Sequence, residues 1–303
     1  MAGNREGPRR PQATEPGMKT PFARCFAISL VLCVLSVARV AQASQEPRIL
    51  ALGGSVTEII YALGEEDRLI ARDATSTYPS AATALPDVGY LRALSPEGIL
   101  SVNPTLIISE EGAGPPETID VLNEAAITFV TIPDAHDRAG ILAKVEAVGA
   151  ALGVPGKAAD LARELDTELQ RAEKRARGIT QDPKRVMFIL STQGGRIMAA
   201  GTNTAAQSII EMSGGVNAID CFEGYKQVTD EAVSAAAPDV ILMMDRGGGH
   251  GASNDKLFAM PAIMTTPAAE DRAVIRMDGL FILGFGPRTA AAAMELNELL
   301  YGS

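Results

Sequence analysis

A sixteen-residue segment occurs twice in this chain, and the repeat limits the folds open to it. Leu94–Ser109 (LSPEGILSVNPTLIIS) aligns without gaps on Val228–Met243 (VTDEAVSAAAPDVILM), an offset of 134 residues. Each copy opens on a hydroxyl residue, Ser95 or Thr229, followed two positions later by an acid, Glu97 or Glu231. A hydroxyl that accepts a backbone N–H and a carboxylate near the positive end of the helix dipole both favour a helix start. Pro104 and Pro238 stop each helix, and the apolar run that follows predicts a strand buried on both faces, as in a parallel sheet. Two copies predict two α/β lobes of similar build with one cleft between them, a design for holding a ligand.

The rest of the chain fits that frame. Arg48–Leu52, an apolar run, ends in Gly53-Gly54-Ser55 and leads into a helix closed by Gly64, which reads as strand, tight turn, helix. Thr204–Met212, closed by Gly214, matches that helix at an offset of 150, through Ile59/Ile209, Ile60/Ile210 and Gly64/Gly214. The two offsets differ by 16, so the first lobe carries about that many extra residues in the stretch Asp73–Tyr90. A connection of that length is usually functional. Between the repeats, Pro155 to about Gly178 predicts a long helix with charge on most of its girth and Ala158, Leu161, Leu165 and Leu169 on one side, a spine bridging two lobes. The expected fold is α/β, with two Rossmann-like lobes on parallel sheets joined by a long rigid helix. The expected boundaries are a leader over 1–43, a first lobe over 44–150, a linker helix over 151–183 and a second lobe over 184–303.

The leader is read from Lys19 and Arg24, the apolar run Cys25–Ala38, and the small-residue site Ala41-Gln42-Ala43. That run is too short to span a bilayer comfortably, so export and cleavage are expected. Bulky Leu32 before Cys33 speaks against a lipoprotein, and Met18 is an alternative start. Cleavage would remove six basic and two acidic residues, taking the net charge from −10 to about −14, a poor match to nucleic acid or an anionic membrane. It would leave Cys221 as the lone thiol, with no internal disulfide.

No catalytic constellation can be assembled. His136 and His250 are the only histidines, His136 just before a helix at the surface and His250 in a glycine-rich rim. H-x-x-x-H, C-x-x-C, G-x-S-x-G and the phosphate-loop pattern are absent from the sequence. Gly53-Gly54-Ser55 could hold an anion at a helix start, but tight backbone turning explains it equally well.

The long loop ends in Val88-Gly-Tyr-Leu-Arg92, and here the chain resembles the periplasmic haem-binding proteins of bacterial ABC importers. These belong to the helical-backbone, class III group of periplasmic binding proteins, which also takes siderophores and cobalamin. The matching stretches are Ser76-Thr-Tyr-Pro79, Asp87–Leu100, Ala200–Ala206 and on through Gly215, Gly224-Tyr-Lys226, and Leu283-Gly-Phe-Gly-Pro-Arg288. The resemblance implies that Tyr90 is the axial ligand of haem iron. A phenolate is a hard anionic donor suited to ferric iron, and a nearby guanidinium would favour it by lowering its pKa. It further implies Arg246 near the Tyr90 oxygen and Arg92 or Arg72 on a haem propionate, where Arg binds carboxylate in a fork. Tyr225 and Lys226 would also line the cleft. Some relatives offer a histidine near the start of the second lobe and hold more than one haem. This chain has Ser191-Thr-Gln193 there, which favours a single tyrosine-ligated haem and leaves His250 open as a second ligand.

By the same resemblance, Glu97 and Glu231 dock onto arginines of a two-fold permease dimer. The implied function is capture of haem b, as transported ligand, in the periplasm and its delivery to an ABC permease and ATPase, with an outer-membrane haem receptor system upstream. The alternative is a ferric-siderophore or cobalamin binder of the same class. More distant is an enzyme on a two-lobed α/β fold.

Overall fold

The computed structural model describes residues 7, 47–125, 127–245 and 253–302. Arg246, His250 and, apart from Gly7, the expected leader lie outside the described residues. The chain divides into two units, Met1–Glu46 and Pro47–Ser303, and both sheets belong to the second.

Strands β1 (Ile49–Leu52), β2 (Leu69–Arg72), β3 (Leu106–Glu110) and β4 (Thr128–Ile132) form a parallel sheet in the order β2-β1-β3-β4. All four residues of β1 are buried, as a central strand covered by helices on both faces requires. The strand order reverses between β1 and β3, so the loops leaving these two strands open onto one crevice.

The second sheet is built from β5 (Arg185–Ser191), β6 (Ile197–Ala200), β7 (Val216–Asn217), β8 (Tyr225–Val228), β9 (Val240–Asp245) and β10 (Val274–Asp278). Its order is β10-β9-β5-β6-β8, with β7 beside β5. The expectation of two parallel sheets is corrected here, because β6 runs antiparallel to both β5 and β8. Only Thr192–Arg196 joins β5 to β6, and so short a connection permits a hairpin but no crossover.

The repeated segment folds as the sequence predicts. Helices α2 (Pro96–Ser101) and α7 (Asp230–Ala236) are capped by Ser95 and Thr229, whose hydroxyls accept the N–H of Gly98 and Ala232. Asn103 and Ala237, again 134 apart, both leave their helices in the left-handed region, at φ 50° and 40°. The matched glycine-closed helices are α1 (Gly54–Ala62) and α6 (Ala205–Met212).

Two helices tie the lobes together. In α5 (Pro155–Arg177) one buried stripe is shared: Ala158, Ala162 and Leu165 belong to the first lobe's core, Leu169 and Ala172 to the second's. Helix α4 (Arg138–Leu152) does the same, with Val145, Val148 and Leu152 in the first core and Ile141 in the second. The two pack closely, since a Cβ on Gly149 would lie 2.2 Å from that of Ala158. The sequence predicts one bridging helix; the structure uses a pair.

Candidate ligand cleft

The loop after β2 is folded back onto the strand that launches it. The Arg72 N–H donates to Pro86 O (3.0 Å), Val88 N–H to Arg72 O (2.9 Å) and Ala74 N–H to Gly89 O (2.8 Å). Val88, Leu91 and Leu94 are buried, and between them Tyr90 and Arg92 point outward, Tyr90 with 51% of its surface exposed. Gly89, at φ 106°, supplies the turn before the tyrosine. Apolar anchors on alternate sides thus present a phenol and a guanidinium from a fixed backbone.

Arg72 has a different task. Its guanidinium donates to Ala82 O (3.1 Å), Asp73 O (2.9 Å) and the Asp87 carboxylate (3.3 Å), and only 12% of the side chain is exposed. It ties the loop closed. Of the two arginines the resemblance left open, Arg92 is the exposed one.

From the second lobe, Tyr225 is half-buried at the start of β8, its ring edge-on to Phe188 at 6.3 Å. Burial pushes its pKa above the usual phenol value, against the N–H of Ala206 and the charge of Arg92, which pull it down. The charge of Arg92, on the first lobe, is thus felt at Tyr225 on the second. Lys226 is exposed next to it, its Nζ 5.5 Å from the centre of the Phe222 ring.

Beneath the loops lies a buried ionic cluster that no motif announces. Lys144 on α4 has no exposed side-chain surface; its ammonium donates to Asp134 (2.6 Å), Ser55 Oγ (3.2 Å) and, across the lobes, Gly284 O (3.3 Å), with Glu110 at 3.6 Å. Burial raises the Glu110 carboxyl, despite Lys144 and a hydrogen bond from Ser55. Burial acts in the same direction on Asp134, but His136 and Lys144 outweigh it and hold the group at about 2. His136 is not the free surface residue expected: it lies 3.4 Å from Asp134 and packs on second-lobe Phe285, ring centres 4.9 Å apart. The sequence did carry a signal, since Lys144 falls on the apolar stripe of Ile141, Val145 and Val148.

A second inter-lobe pair was also missed. Arg288, at the start of α12 (Thr289–Tyr301), forms a two-point ion pair with buried Glu58 of α1, with Nε to Oε2 at 2.9 Å. Its guanidinium lies on the Tyr78 ring, 3.6 Å from the ring centre. A cation at a helix start opposes the dipole and so hints at a partner elsewhere.

Each repeated acid is exposed in the first turn of its helix. Glu231 is held below the usual carboxylate range by its own backbone N–H and by Thr229.

Two α/β lobes bridged by a pair of helices and by the Lys144 and Arg288 contacts are the build of a solute-binding protein. The chain belongs to the periplasmic binding protein family, whose profile matches residues 49–279. Solved periplasmic heme-binding proteins share its fold. The structure of BhuT with two hemes superposes with a TM-score of 0.80, at 39% identity over 84% of this chain and 97% of that one. An uncharacterized ABC transporter substrate-binding lipoprotein of Bacillus subtilis is 28% identical over 85% of this chain and 81% of its own length. The vitamin B12-binding protein of Yersinia pestis is 26% identical over 92% of this chain and 93% of its own length.

Proposed function

We propose that this protein captures ferric haem outside the cytoplasmic membrane and delivers it to an ABC permease and its ATPase. The observation that carries this reading is Tyr90, an exposed phenol on a backbone fixed by buried neighbours, with exposed Arg92 two residues on. A phenolate so placed can bond ferric iron from one face of the porphyrin. Arg92 supplies a charged fork for a propionate, and Lys226 a second cation nearby. Arg246 is assigned to the same site on the resemblance alone. The cargo leaves chemically unchanged, so the protein is not an enzyme in this reading. Its place is the periplasm, with an outer-membrane haem receptor system upstream. Glu97 and Glu231, at matching positions in two similar lobes, are assigned to docking on a two-fold permease.

Titration of the protein with haem, followed by absorbance, tests the reading. Wild type should give a Soret band typical of phenolate-ligated ferric haem. Tyr90→Phe should lose that band position and about tenfold or more in affinity. A spectrum unchanged by Tyr90→Phe would remove Tyr90 as ligand. The B12-binding relative favours one other cargo, cobalamin, and tight binding of cobalamin without haem binding would replace the present assignment.

A further inference from the structure

Tyr78 is a partly exposed aromatic packed against a residue of the second lobe. It stands on the same loop as Tyr90, and these two are the aromatics among the large exposed apolar side chains of the described residues, at 45% and 51%. In a chain with only 4% aromatic residues, two exposed on one loop is a concentration that packing does not explain. One face of the Tyr78 ring is covered: the Arg288 guanidinium lies 3.6 Å from its centre. That guanidinium is itself fixed, by two bonds to Glu58 in the first lobe and by Phe281 in the second, 5.1 Å away. Glu58 is 5% exposed and cannot move away without leaving a buried unpaired charge.

The cation does not offer an anion seat, because Glu58 neutralises it and the Asp278 carboxylate acts on it as well. What remains open is the outer surface of the phenol ring, held flat at the seam between the lobes. A rigid, half-exposed aromatic face with its back supported is suited to stacking against a flat conjugated system, and its fixed posture lowers the entropy cost of doing so.

Resting on the haem reading above, we infer that Tyr78 is a stacking platform for the planar macrocycle of the ligand, and that Arg288 and Glu58 are the pair that positions it. The contact is to the macrocycle and not to the metal. It should therefore act on iron-free protoporphyrin IX as it does on haem, whereas the Tyr90 bond acts on haem alone.

The test is titration of the full chain with haem, by absorbance, and with protoporphyrin IX, by fluorescence. Tyr78→Leu should weaken both ligands by a similar factor, about five- to tenfold, and leave the Soret position of bound haem unchanged. Tyr78→Phe keeps the ring and should bind both like wild type. Arg288→Lys keeps a cation for Glu58 but withdraws the flat support, so it should weaken both ligands by about two- to fivefold; this arm decides the matter if Tyr78→Leu does not fold. Unchanged binding of both ligands by folded Tyr78→Leu, or a loss confined to haem, overturns the inference and leaves the Tyr90 reading standing. Failure of wild type to bind haem overturns the functional reading itself.

Discussion

At the scale of single residues, Lys144 decides more than any motif does. It is sealed from solvent and sits between two acids of the first lobe while donating to a carbonyl of the second. A buried ammonium is tolerated only because those partners surround it. The two acids respond to pH with opposite signs. Asp134 has a folded pKa of about 2 against an ordinary value of 3.8, so its contribution is present above 3.8 and is lost as pH falls through about 2. A gap of that size corresponds to about 2 kcal/mol. Glu110 is displaced upward by burial, so what it contributes is present below its ordinary value and is lost as pH rises through its folded value. Asp134→Asn should therefore be about 2 kcal/mol less stable than wild type in urea unfolding at pH 6. The gap should close toward pH 2; a gap independent of pH would show that Asp134 gains nothing from ionisation.

At the scale of elements, the stripe along α5 does the work of a shared beam. Ala158, Ala162 and Leu165 face one core, Leu169 and Ala172 the other, so neither lobe can slide along the helix without exposing apolar surface. Leu169→Ala removes a fully buried side chain from the second core and should cost about 2–5 kcal/mol, read from denaturant unfolding. A cost below 1 kcal/mol, on the order of a surface change, would mean the stripe is not load-sharing. Elements were the part most legible in the sequence. The caps at Ser95 and Thr229, the proline stops and the strand Thr128–Ile132 depend on neighbours a few residues away. Strand β8 was not legible: Tyr225–Val228 is a half-buried edge strand whose partner, β6, comes from an antiparallel turn-back that no periodicity signals.

At the scale of the whole molecule, the lobes are joined at two levels, by α4 and α5 and by contacts of the 280–288 segment on the first lobe. Gly54 sits so close to Leu280 that a Cβ there would lie 2.3 Å from it. Such a seam leaves little room for a wide hinge closure around ligand. If the proposed docking of Glu97 and Glu231 on a permease holds, release would draw on force applied at those matched points. In reconstituted transport, Glu97→Arg or Glu231→Arg should each lower the rate about tenfold, and the double variant should abolish it, with haem binding unaltered. Normal transport by the double variant would remove these acids from the docking surface.

By itself the sequence determined most of the elements and the repeat that makes two similar lobes, and its resemblance pointed to Tyr90, whose exposure the fold then showed. Helix caps, proline stops and apolar runs act over a few residues, so they can be read along the chain. Only the tertiary structure decided which charges meet. It assigned Arg72 to the loop, Lys144 to the floor, and Arg288 to a glutamate 230 residues away. Those pairings are set by how two lobes pack over common helices, and electrostatics and burial at such a seam have no period along the sequence.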